Sequence, residues 1–165
     1  MRTERMPNPA ALIPGVPEGL IALEAAVAAA GIDGRLLALS RLRASQINGC
    51  GPGVTAAVRR AREQGATGDQ VDTVVAWRET PWFSAEERAA LALTEAVTRV
   101  ADRADPVPDR VWDVAATHLD QKELAALLVG IALTNAANRL MLFNVSGCSS
   151  PRARRRMSMA RSSCS

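Results

Sequence analysis

From Pro17 onward the apolar residues of this chain recur every three or four positions, and no stretch alternates apolar and polar residues as a half-buried strand would. That periodicity admits helices packed on helices and excludes a sheet-based architecture. Residue type agrees with it: alanine makes up roughly a fifth of the chain, tyrosine is absent, and β-branched runs are scarce, so helix propensity is high almost everywhere. With 48% hydrophobic and 22% charged residues in 165, there is enough apolar surface for one domain with its own core, and wholesale disorder is excluded.

Punctuation divides residues 17–145 into about seven helical pieces. Pro17 opens a run through Leu20, Leu23, Val27 and Ala30 that Gly31 closes. Asp33 is placed to cap the next, which breaks at Ile47-Asn48-Gly49. A third helix runs from about Gly51 to Gln64, and a short one starts at Asp69 and stops before Pro81. Ser84 with Glu87, and later Asp120 with Glu123, have capping-box spacing. Between them a short helix covers about 109–117, which sets His118 at a helix carboxy terminus. The last helix carries Leu124, Leu127, Leu128, Ile131, Asn135, Asn138 and Leu142 on one side and Ala126, Val129 and Leu133 on others, as a central or intersubunit helix would.

The ends differ from this body. Residues 1–16 read as an extension without the apolar core of a signal peptide, and 146–165 as a disordered basic tail with five arginines and no acid. The remainder holds 15 basic and 17 acidic residues, so any nucleic-acid contact is expected to be weak, salt-sensitive and confined to the tail. The longest apolar run, Leu124 to Leu133, has half the roughly 20 residues of a membrane span, so a soluble, cytoplasmic protein without membrane contact is expected. Three cysteines, Cys50, Cys148 and Cys164, make no disulfide framework. A single histidine excludes a His-pair metal site, and no metal or cofactor is implied.

The most particular stretch is LLALSRLRASQINGC (36–50), followed after one helix by VVAWRETPWFSAEERAALALTEAVT (74–98) and later by NAANRL (135–140). Together these resemble the carboxymuconolactone decarboxylase and alkylhydroperoxidase AhpD-like superfamily in its single-domain form, over about residues 17–143. The resemblance implies an all-α, AhpD-like domain of six to seven helices that assembles as a homo-oligomer, a trimer or hexamer, and an alkylhydroperoxide reductase-type (peroxiredoxin-like) thiol activity. In that family the chemistry sits on C-x-x-C-x-x-x-H at a helix start, with a glutamate twelve residues before the first cysteine. The first thiol faces the helix's unpaired N–H groups, the second resolves it, and the histidine and glutamate relay protons.

Mapped residue by residue, Cys50 holds the first cysteine's place, while Gly53, Ala57 and Ala38 stand where the second cysteine, histidine and glutamate would be. Ala137 stands where relatives usually carry tryptophan. A local dithiol cycle and a proton route are thereby missing. Two readings of Cys50 stay open: a reactive thiol at a helix start that an external thiol reductant restores from the sulfenate, or a buried inert one. Cys148 and Cys164 are candidate distant resolving thiols. Trp77, Arg78 and Glu79 are candidate pocket residues or a core tryptophan beside an ion pair; Asn135, Asn138 and Arg139 are candidate ligands or packing groups. Two functions compete: a one-cysteine thiol oxidoreductase, and a non-redox binding or scaffold protein, or an enzyme whose emptied pocket takes another small-molecule substrate. A literal lactone decarboxylase comes third, since the site lacks acid-base groups.

Overall fold

A computed structural model describes residues 6–102 and 104–141. Cys148, Cys164, Leu142 and the basic tail lie outside the described residues. The elements in order are α1 (Pro9–Leu12), α2 (Val16–Ala29), α3 (Gly34–Ile47), α4 (Gly51–Glu63), α5 (Gly68–Thr73) running into a 3₁₀ segment (Val74–Glu79), α6 (Ala85–Thr98), α7 (Asp109–His118) and α8 (Gln121–Met141), with a further 3₁₀ turn at Val100–Asp102. The described chain is all-helical, as the periodicity requires. Helix α1 falls inside the stretch expected as an amino-terminal extension and packs against α2.

Local chemistry sets most boundaries. The Asp33 carboxylate accepts from the Leu36 N–H at 2.8 Å, and both capping boxes form: Ser84 with Glu87, and Asp120 with Glu123. One start differs from expectation. Helix α5 is capped by Thr67, whose hydroxyl accepts from Gln70 while Gln70 reaches back to the Thr67 N–H, so Asp69 is an acid in the first turn instead of the first residue. The following turn tightens to 3₁₀ and loses helical geometry at Ala76 (φ −118°, ψ 32°). Arg88 holds the loop that follows, donating to the carbonyls of Trp77 (3.0 Å), Phe83 (3.1 Å) and Thr80.

Helix α3 is the spine, with nine buried residues that serve two apolar clusters. On one side Leu36 and Leu37 join Val27 of α2, Leu93 of α6, Ala115 of α7 and Leu127 and Ile131 of α8. On the other, Leu39 and Leu42 join Ala57 and Ala61 of α4, Val71, Val74, Trp77, Phe83 and Leu91. By length and composition alone α8 could cross a membrane, with mean hydropathy 1.4. Within this fold it is a core helix packed on α2, α3, α4, α6 and α7, and Gly130 lets Leu37 of α3 approach its backbone closely.

Candidate functional site

Cys50 closes the turn after α3 and is the residue before the first turn of α4. Gly49, at φ 62°, supplies the left-handed step that brings it there, and Pro52 starts the helix without wasting a donor. The Cys50 side chain is only 3% exposed, its N–H donates to the Ser45 carbonyl (3.1 Å), and its carbonyl accepts from Val54 (2.8 Å). The thiol therefore sits under the chain, not at the mouth of a cleft.

Three of the four motif positions converge on one space, and Cys50 lies behind Gly53. Ala38 from α3 and Gly53 and Ala57 from α4 line one cavity of about 390 Å³, closed on the far side by α8. Ala137, the position of the family's tryptophan, lines it too. These four small residues thus share the cavity wall with Glu24, Arg41, Ser45, Asn138 and others. At its inner end the Asn138 amide donates to the Ser45 hydroxyl at 3.2 Å, with the hydroxyl 3.5 Å from Asn138 Oδ1. A β-carbon added at Gly53 would collide with Asn138 Oδ1 and lie 3.1 Å from Cys50 Sγ and 3.2 Å from Ser45 Oγ. Asn138 therefore occupies the room that a second cysteine would need. Near the opening, Arg41 pairs with Glu24 at 2.7 Å, and Arg60 is exposed at the rim.

The other sequence candidates lie elsewhere. Asn135 accepts from the Asn48 amide at 2.7 Å and ties α8 to the end of α3. Arg139 is exposed and donates to the Asn135 carbonyl. His118 ends α7, on the helix terminus expected for it. Trp77 is buried and Arg78 lies over its ring, 4.1 Å from the centroid, whereas Glu79 points to solvent without joining them. Neither Trp77 nor Arg78 reaches the cavity beside Gly53.

Both serve a group that sequence reading missed, Glu95 on α6. Its Oε1 accepts from Arg43 Nε at 2.7 Å and from Trp77 Nε1 at 3.1 Å, with Arg43 Nη2 in ion-pair contact at 2.7 Å; Oε2 accepts from Arg78 at 2.8 Å. Burial pushes this carboxyl up, but the bonds from Arg78, Arg43 and Trp77 and the Arg43 charge together outweigh it and hold it below its ordinary range. The available signal was a charge inside each apolar stripe: Arg43 beside Leu39 and Leu42, and Glu95 one turn from Leu91. Among the described residues, no group of three or more His, Cys, Asp or Glu side chains gathers to hold a metal.

Comparison with known proteins agrees with this geometry. The carboxymuconolactone decarboxylase family matches residues 14–96. The Bacillus subtilis protein YdfG, itself uncharacterized, is 32% identical over 104 residues, 63% of this chain and 69% of its own length. A crystal structure from Agrobacterium tumefaciens, of a protein of unknown function described as a candidate AhpD antioxidant defence protein, superposes with a TM-score of 0.77 at 31% identity, covering 85% of this chain and 94% of that one. The helical order, the position of Cys50 and these matches together establish that the chain belongs to the carboxymuconolactone decarboxylase family, with an AhpD-like fold.

Proposed function

We propose that this family member binds a small molecule in the cavity between α3, α4 and α8 and does not run the dithiol peroxide cycle of its thiol-active relatives. One observation carries the reading: Ala38, Gly53, Ala57 and Ala137, the positions without the family's groups, all line one space that stays open beside the Ser45–Asn138 pair. Its volume falls in the range of about 300–1,000 Å³ common to ligand sites. The walls are mostly apolar, with the Ser45–Asn138 pair at the inner end and the Arg41–Glu24 pair near the opening. Such a lining suits a ligand with an apolar body and a hydrogen-bonding end. Cys50, sealed at 3% exposure, then acts as packing, without a substrate or an external thiol reductant to meet.

The test is a ligand-observed NMR screen of small amphiphilic compounds against the full chain and against Ala57→Phe, which fills the cavity from its wall. Compounds that bind the wild type and are lost on Ala57→Phe support the site; a screen without binders, or with binders indifferent to the substitution, removes it. The assembly we propose is a cytoplasmic homo-oligomer, a trimer or hexamer, with weak, salt-sensitive polyanion binding through the basic tail. Sedimentation of the full chain should give three or six copies, and a stable monomer at micromolar concentration would contradict it.

A further inference from the structure

On the face of α6 away from the cavity beside Gly53, a second cavity of about 290 Å³ is lined by Arg78, Arg99 and Arg110, with Glu95 at its base and Pro108 at its edge. Its charges do not balance. Glu95 contributes the single carboxylate of the lining, and it is already engaged by Arg43, Trp77 and Arg78. Arg99 comes only to 4.0 Å of it, and Arg110 makes no ion pair among the described residues. The other described acids near them in sequence, Glu79, Asp105, Asp109 and Asp113, are exposed and form no ion pair with the three arginines. Three arginines therefore line one cavity, and among the described residues their mutual repulsion is relieved by one, already shared, carboxylate.

The donors are well placed to receive an anion. Arg78 stacks on Trp77, donates to Glu95 and lines the cavity with a half-exposed side chain. The opposite wall is the first turn of α7, which has no side-chain cap. Guanidinium groups are matched to carboxylate and phosphate oxygens, and several converging on one space favour a doubly charged group over a singly charged one. At about 30 Å³ per water the cavity exceeds a bare anion and leaves room for a small attached body.

From this we infer that Arg78, Arg99 and Arg110 form a binding site for the phosphate group of a small molecule or for free phosphate, separate from the cavity beside Cys50 and independent of the function proposed for it. Arg99 and Arg110 lie outside residues 14–96, the segment that the family matches.

The experiment is isothermal titration of the full chain with inorganic phosphate and, in a second arm, with glycerol phosphate, each against chloride at equal ionic strength. Wild type should bind saturably. Arg99→Gln/Arg110→Gln should weaken binding at least tenfold while leaving the melting temperature of the unliganded protein unchanged, since neither side chain donates a hydrogen bond within the described fold. Tighter binding of the ester identifies a phosphorylated small molecule as the ligand, and binding of inorganic phosphate alone identifies the free anion. Binding that never saturates, that chloride reproduces, or that survives the double substitution and so belongs to the five tail arginines overturns the inference.

Discussion

Replacing Glu95 by glutamine keeps the side chain's size and removes its charge, which isolates what the carboxylate does at the centre of the fold. Arg43 is the partner that suffers. Its side chain is 11% exposed against 54% for Arg78, so Arg78 can turn to water while Arg43 cannot. The Arg43 Nε bond at 2.7 Å falls from charge-assisted to neutral, a loss of about 1 kcal/mol, the Nη2 contact loses its charged partner, and a buried guanidinium is left without a counter-charge. Removing one partner of a buried pair typically destabilises by about 3–5 kcal/mol; the remaining carboxamide oxygen places this case near 3. The Arg78 contribution is discounted because solvent screens it. Urea unfolding should show a lower midpoint with the slope unchanged, by at least 1 M for an ordinary slope of about 1–3 kcal/mol/M. Arg43→Met combined with Glu95→Gln removes the stranded charge and should regain part of the loss. A loss under about 1 kcal/mol for Glu95→Gln, or strict additivity in the double variant, would refute the reasoning.

Other expectations follow from the same geometry. Gly53→Ala should destabilise by about 1–2 kcal/mol although alanine is the better helix former, because the new methyl meets Asn138 Oδ1; Asn138→Ala in the same chain should relieve it, read as a non-additive pair in chemical unfolding. Since the folded state holds the Glu95 carboxyl below its ordinary value of about 4.3, its contribution is present above that pH and lost as pH falls through the lowered value. The acid limb of the stability curve should therefore be steeper in wild type than in Glu95→Gln, and equal limbs would contradict the pairing.

Helix positions were legible in the sequence because caps and breakers are local: Asp33, Ser84 with Glu87, and Asp120 with Glu123 each act within three residues. Helix α5 starts at Gly68, one position before the expected Asp69, because Thr67 caps it, with the return bond from Gln70 completing the capping box. Cys50 and the three altered motif positions were readable through the family's spacing, and that Ala38, Gly53 and Ala57 would share one cavity with Ala137 follows from helices α3, α4 and α8 meeting there. The Glu95 centre was not legible as a unit, since Arg43 and Glu95 are 52 residues apart and their meeting depends on how α3 crosses α6. Nor was the crowding of Gly53 by Asn138, which joins the first turn of α4 to the last turns of α8.

The central claim, that the cavity replaces the peroxide cycle, is tested most directly by peroxide consumption with a dithiol reductant, comparing the full chain with Cys50→Ser. Both should consume alkyl hydroperoxide no faster than the buffer, because Gly53, Ala57 and Ala38 supply neither resolving thiol nor proton relay and Cys50 is sealed from solvent. Turnover by wild type that Cys50→Ser abolishes would contradict the account and point to a resolving role for Cys148 or Cys164.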